Sequence, residues 1–397
     1  MANKSTAIKE ALEAIYPDMV KWRRHLHRHP ELSFQERQTS AWIASHLREM
    51  GCDIREGVGG YGIVAAIRGA RPGPVIALRA DIDALPIQDE KTCDYASTAP
   101  GVMHACGHDA HTATMLGIAQ YYMARQEQLA GERRLLFQPA EEVTPGGAKG
   151  MIADGALAGV DAIYGVHLWT PFACGTVATR SGPLMASADE FYINITGKGG
   201  HGGLPHETID AVLVGSALVQ SLQSIVSRNI NPLEPSVVTV GSFHAGTVAN
   251  VIAEQCSLKG TVRAFDEKVR MQIRTRLEAI VRHTGQLYDA QIDLEYRDGY
   301  PSVVNDEVEA QRFFRVAAAQ FGEQAVMQSP CIMAGEDFTY YLQQVKGCFM
   351  FVGAGNEQCG AVHPHHHPKF DLDENSMLQS AELMVAMAED YASNCTN

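Results

Sequence analysis

The chain has 397 residues, 46% hydrophobic and 20% charged, with a formal net charge of −14; that balance is ordinary for a globular protein, and the length suits two or three domains. The acidity, with no basic stripe interleaved with aromatics, argues against a nucleic-acid partner, and the lack of any run of 18 or more apolar residues argues against a membrane span. Residues 1–9 hold no apolar core of signal-peptide length, and nine cysteines scattered without CxxC spacing suit thiols in a reducing compartment, so a cytoplasmic protein is expected.

Residues 7–29 and 36–50 carry apolar side chains at helical spacing and read as helices. Apolar runs at 62–67 and 74–78 follow, the second ending in Arg79-Ala80-Asp81-Ile82-Asp83. Residues 110–124 read as a mostly apolar helix. Residues 134–137 read as a strand ending at Gln138-Pro139-Ala140-Glu141-Glu142, and 162–166 as a strand ending at His167. Short apolar strands alternating with helices predict a sheet covered on both faces.

The texture changes near Ser187. Residues 191–196 alternate like a half-exposed strand, and 209–228 form a long amphipathic helix. Strands at 237–240 and 255–264, a helix at 269–284 and a strand at 291–296 complete a strand-helix-strand-strand-helix-strand order, which fits an α+β insert of ferredoxin-like type. The first pattern then resumes with a helix at 307–321 and a strand at 348–352. The expected architecture is α/β: a domain of residues 1–186 and 298–397 interrupted by a smaller one at 187–297.

The densest chemistry is Met103-His104-Ala105-Cys106-Gly107-His108-Asp109-Ala110-His111. A thiolate and an imidazole two residues apart can hold borderline-soft metals. Alone, a buried Cys beside a loop His is more often structural. In sheets of this kind, however, ligands bind outside the carboxyl ends of strands. Asp81, Asp83, Glu141, Glu142 and His167 are all expected at such ends. One shared two-metal hydrolase site then accounts for all of them, with the Cys106 thiolate and a water or hydroxide as natural bridges.

The adjacent glutamates need different tasks: one carboxylate binds metal and the other takes the proton from the attacking water. Asp81 and Asp83 either orient ligand histidines or cap strand-end turns. His363-Pro364-His365-His366-His367-Pro368 is a metal-binding surface of its own or supplies one ligand to the shared site. Gly197-Lys198-Gly199-Gly200-His201-Gly202 matches GxGxxG, but no acid ends a second strand about twenty residues later. His201 makes better sense as a mobile hydrogen-bond donor to an oxyanion, or as a plain loop histidine. Asn250, in a turn, and Arg263, on an alternating strand, are residue types that grip carboxylates, though an Arg there also suits a surface strand.

These motifs, with Arg28-His29-Pro30-Glu31-Leu32-Ser33 and Gly335-Glu336-Asp337-Phe338, resemble the M20 metallopeptidase family. The likeness is closest to its amidohydrolase branch, which includes hippurate hydrolases, N-acyl-amino-acid amidohydrolases and plant auxin-conjugate hydrolases. The resembling segments span nearly the whole chain in the family's order. The resemblance implies a zinc-peptidase-like catalytic domain with an inserted lid that usually dimerises. It implies metal ligands at Cys106, His108, Glu142, His167 and His366, the last because His366-His367-Pro368-Lys369-Phe370 fits the family's H-x-P-x-[FY] run. It makes Glu141 the general base, sends His201 to the partner subunit's active site, and gives the substrate's free carboxylate to Asn250 and Arg263.

The expected activity is hydrolysis of the amide bond of N-acyl amino acids, with two divalent ions per subunit. The donors disfavour Mg and Ca and leave Zn, Mn, Co and Ni open. A homodimer or higher homo-oligomer is expected. A carboxypeptidase or dipeptidase fits the same scaffold. From other classes, a non-catalytic metal-binding protein would use the histidine run, and a nicotinamide-dependent enzyme the glycine loop.

Overall fold

The helical spacing of residues 7–29 is carried by two helices, α1 (Ala2–Glu13) and α2 (Tyr16–Arg28), because Pro17 takes the first turn of α2, where its missing N–H costs no hydrogen bond. The structure, a computed structural model, describes residues 2–394. Next come α3 (Arg37–Glu49), β1 (Asp53–Val58), β2 (Gly62–Arg68), β3 (Arg71–Asp81), α4 (His108–Met123), β4 (Ala130–Gln138), α5 (Gly147–Ala153), β5 (Ala162–Ala173), β6 (Val177–Thr179) and β7 (Gly182–Met185). They are followed by β8 (Ala188–Thr196), β9 (Gly200–His201), α6 (Ala211–Ser224), β10 (Ser236–Ala245), β11 (Val251–Ile252), β12 (Gln255–Ala264), α7 (Glu267–Tyr288), β13 (Gln291–Tyr300) and β14 (Val303–Asn305). The chain ends with α8 (Glu307–Phe321), β15 (Val326–Gln328), α9 (Thr339–Leu342), β16 (Gly347–Gly355) and α10 (Asn375–Asn394).

The first unit consists of the chain up to Gly182, Val304–Pro330, and the chain from Asp337 on. Its sheet has eight strands in the order β1-β2-β4-β3-β5-β16-β6-β15. The central four, β4, β3, β5 and β16, are parallel, and β1, β2 and β6 enter antiparallel pairs at the margins. Parallel strands must be covered on both faces, so they read as apolar runs. The helices α4 and α10 are buried along nearly their whole length, as cross-sheet helices with apolar residues all round must be. One corrected detail concerns His167. It does not end its strand: pairing of β5 with β3 stops at Gly165, but β5 runs on beside β16 as far as Ala173. His167 therefore stands on a one-sided extension of the strand, just past the end of β3.

The second unit is Pro183–Val303 with Cys331–Glu336, the latter held through a bridge of Ile332 to Met185. Its four-stranded sheet has the order β10-β12-β8-β13, antiparallel throughout. In chain order the elements run strand-helix-strand-strand-helix-strand, the ferredoxin-like arrangement. Alternate residues of β8 (Phe191, Ile193 and Ile195) enter a core with Leu218 and Leu222 of α6 and Ile273 and Leu277 of α7. Asp210 and Asp266 cap α6 and α7 by accepting hydrogen bonds from first-turn amides, about 1 kcal/mol each. Among the described residues no helix is long and apolar enough to cross a membrane, and the cysteines are free thiols.

Candidate metal centre

Four segments of the first unit bring donors together. Gly107, at φ 91°, is the left-handed residue that stops the incoming loop and starts α4. It sets Cys106 before the turn and His108 on the first residue of the helix. After β4, Ala140 adopts φ 51° with its amide donating to Glu36 Oε1 at 2.8 Å, and this bend presents Glu141 and Glu142. His366 has φ 65°. Two non-glycine residues in the left-handed region, each beside or at a candidate donor, cost about 1 kcal/mol apiece and mark these loops as shaped for a site.

The donors meet in two groups. Cys106, His108 and His167 offer atoms within 4.8 Å of one another, and so do Cys106, Glu142 and His366. Cys106 belongs to both. A third group, His108 with Glu141 and Glu142, ties the glutamate pair to the same place. Cys106 Sγ lies 3.4 Å from His167 Nε2. Glu142 Oε1 lies 3.3 Å from His366 Nε2 and 3.9 Å from His108 Nε2. The six residues expected from the sequence to bind metal or move a proton thus fall into overlapping donor groups.

Surrounding groups fix which nitrogens face inward. His108 Nδ1 donates to Asp83, whose Oδ1 is 3.1 Å away and whose carbonyl is 3.0 Å away, so Nε2 is the nitrogen left to face the other donors. The other Asp83 oxygen accepts from Ser33 Oγ at 2.7 Å and from the Glu142 amide at 3.0 Å. His167 Nδ1 donates to Leu168 O at 2.9 Å, which leaves its Nε2 towards Cys106. Asp81 contacts a histidine outside the expected set: it accepts from His111 Nδ1 at 2.6 Å and from Arg79 Nη1 at 2.6 Å, and lies 3.7 Å from His108 Nε2.

Burial and the carboxylates of Glu142, Glu141 and Asp81 push the Cys106 thiol well above its usual range. Burial opposes a proton on His108, yet Asp81, Asp83 and Glu142 hold it up to about 10. Burial, with His111 and His365 nearby, keeps His167 well below the usual imidazole range. Around Cys106 and His108 the carboxylates of Asp81, Asp83, Glu141 and Glu142 therefore set a negative potential. His108 Nε2 and Glu142 Oε1 are buried without a hydrogen-bond partner, a state that folded proteins avoid. A divalent cation would satisfy both atoms and draw the thiol to thiolate. The donor set of thiolate, imidazoles and carboxylate fits such an ion.

Some supporting residues were not singled out from the sequence. His111 accepts from the Leu168 amide at 2.9 Å, and His365 Nε2 donates to Leu168 O at 3.0 Å. The backbone N–H and C=O of one residue of β5, Leu168, thus hold three imidazoles. His111 lies three residues after His108, on the same helix face, and that spacing was the available signal. Asp109 accepts from Arg23 Nε at 2.8 Å and His27 Nδ1 at 2.7 Å, anchoring the start of α4 to α2.

Three site residues read from the sequence lie in the second unit. His201, on β9, pairs with Val251 of β11, and the Gly202 amide donates to Asn250 O at 2.8 Å, so His201 and Asn250 are neighbours. Arg263, on β12, donates to Thr261 Oγ1 and to Val262 O. The glycine loop runs into β9 and not into a helix, so it lacks the helix N-terminus on which a dinucleotide pyrophosphate rests.

Residues 77–390 match the model of peptidase family M20/M25/M40. The chain is 45% identical over 298 residues to an N-acyl-L-amino acid amidohydrolase of Geobacillus stearothermophilus, covering 75% of this chain and 80% of that one. It is 36% identical over 388 residues to thermostable carboxypeptidase 1 of Saccharolobus solfataricus, covering 97% and 98%. In structure it is similar to the Bacillus subtilis YXEP protein, a dinuclear metal binding peptidase from the M20 family, with TM-score 0.82, 34% identity, and coverage of 96% and 99%.

Proposed function

The chain belongs to peptidase family M20/M25/M40, and from that premise we propose that it cleaves the amide bond of N-acyl amino acids. It is a metal-binding hydrolase of the amidohydrolase kind. The acyl amino acid as substrate, the number and identity of the ions, and the roles of individual residues are the proposal. The observation that carries it is the pair of three-donor groups joined at Cys106, with Glu141 beside them. That arrangement suits two ions drawn from Zn, Mn, Co and Ni.

Bound there, divalent cations would acidify a water and polarise the scissile carbonyl. The protein's own groups do the rest. Glu141 takes the proton from the attacking water and returns it to the leaving nitrogen. Glu142 would hold the metal and so would not share that task. Asp83 keeps His108 in the tautomer that presents Nε2. His201 would donate to the oxyanion, while Asn250 and Arg263 would hold the free α-carboxylate. A homodimer through the second unit, acting as a lid, belongs to the same reading. A carboxypeptidase reading uses the same machinery, because a peptide is also an N-acyl amino acid, and the Saccharolobus relative favours it.

A panel of N-acetyl and N-benzoyl amino acids, dipeptides and longer peptides, assayed after chelation and reconstitution with each metal, tests the proposal. Turnover should vanish on chelation, return with metal, and favour N-acyl amino acids. Higher kcat/KM on longer peptides selects the carboxypeptidase, and turnover indifferent to chelation removes both readings. Glu141→Gln should lower kcat by about 10³-fold with metal content unchanged; if metal is lost as well, Glu141 is a ligand.

A further inference from the structure

The first unit holds a cavity at the end of its sheet away from the candidate metal centre. β3 runs from Arg71 to Asp81, and at about 3.3 Å per residue its ends lie about 30 Å apart. Asp81 belongs to the metal centre and Arg71 lines the cavity. The cavity has a volume of about 620 Å³, within the range of small-molecule sites. Its polar wall is Arg71, Tyr121, Tyr122, Arg125, Arg133 and Glu389, and Ile8, Pro72 and Leu129 give it an apolar side.

The charge of this wall runs against the rest of the molecule, three guanidiniums to one carboxylate in a chain of net charge −14. Arg133 is 1% exposed and accounts for Glu389: its Nε and Nη2 reach Glu389 Oε1 at 3.2 and 2.8 Å. Arg71 and Arg125 have no acidic partner among the described residues. Arg71 Nη2 donates to Gln128 O at 2.6 Å and Arg125 Nη1 to Tyr121 O at 3.2 Å, so each keeps further N–H groups uncommitted. The Arg125 guanidinium lies over the Tyr121 ring, 4.2 Å from its centre, which holds the fork flat and in place. Beside Arg133, the Tyr122 hydroxyl is buried without a hydrogen-bond partner. No step of the hydrolysis uses any of these groups.

We propose that this cavity binds a small organic anion, with a carboxylate or phosphate head gripped by Arg71 and Arg125 and a flat apolar body on the Tyr121 and Leu129 side. Two guanidiniums on one wall match the paired oxygens of such a head. The apolar wall and the volume of about 620 Å³ select for more than an inorganic ion.

Calorimetry on the metal-loaded enzyme, with phenyl phosphate and benzoate as probes and phenol as the uncharged control, tests this. At least one anion should bind and phenol should not; the stronger of the two identifies the head group. In the double variant Arg71→Ala, Arg125→Ala, affinity should fall at least tenfold, with turnover in the absence of anion and the melting temperature unchanged. Should that variant melt lower, Arg125→Lys alone keeps the charge, loses the fork, and should still weaken binding severalfold. Unchanged affinity in these variants would place the anion at the metal centre and overturn the proposal. Absence of binding by both anions would overturn it too.

Discussion

The two units bury charge in different ways. In the first, Arg23, Arg79, Asp81, Asp83, Asp109 and Asp337 are each 2% exposed or less and form linked pairs around the metal centre. Within Pro183–Val303 of the second unit, the buried charges are Asp189 and Arg270. Asp189 is fully satisfied: it accepts from Arg270 Nε and Nη2 at 2.8 and 2.6 Å, Tyr296 Oη at 2.8 Å and the Gly299 amide at 2.8 Å. The cluster in the first unit is not satisfied, since His108 Nε2 and Glu142 Oε1 are buried without a hydrogen bond. Complete satisfaction marks a buried ion pair that holds a fold. Donors left over, all facing one point, mark a place for a ligand.

This contrast is broken first at Asp189. Asp189→Ala strands the Arg270 guanidinium in the second unit and should cost about 3–5 kcal/mol, read as a lower denaturant midpoint. Metal affinity should be unaltered. If metal is lost before the unit unfolds, the division between a structural knot and a ligand site is wrong. A smaller effect is expected at Asp83. Asp83→Asn keeps the shape but weakens the hold on His108 Nδ1, and metal affinity should fall about 10–100-fold, measured by chelator competition. The melting temperature of the metal-free protein should move little. A large fall there with no change in affinity would make Asp83 a fold residue.

The candidate donors are legible in the sequence because they sit in short motifs at the ends of apolar runs, and such runs locate strands. The ferredoxin-like order is legible for the same reason, through the alternation of residues 191–196 and the long helical stripe after it. What escapes is whatever depends on pairing alone. β1 is polar (Asp53, Arg55 and Glu56 are exposed) and is a strand only because β2 pairs with it. β5 continues past His167, through Pro171, because β16 supports it. The clamp at Leu168 is made by backbone atoms, which leave no mark on composition. The contact of Arg79 with Asp337, 2.8 Å apart in space and 258 residues apart in the chain, likewise has no local signal.

The mildest test of the comparison lies in the ionic network behind the His366 loop. Asp371 accepts from Arg23 Nη2 at 2.7 Å and from Tyr95 Oη at 2.6 Å. Burial by itself would raise its carboxyl, but Arg23 and Lys91 hold it at about 2 against an ordinary 3.8. A carboxyl depressed in the folded state contributes its stability above the unfolded value and loses it as pH falls through the folded one. The contribution, about 2 kcal/mol, is therefore present above about pH 4 and gone near pH 2. Asp371→Asn should lower the unfolding free energy of metal-free protein, read from urea titration, by that amount at pH 7, and the gap from wild type should close as pH falls from 4 to 2. Metal-free protein keeps ion release out of the measurement. A gap that stays constant over that window would mean Asp371 acts by shape and not by charge, and the buried charge of the first unit would then be less electrostatic in its effect than its contacts imply.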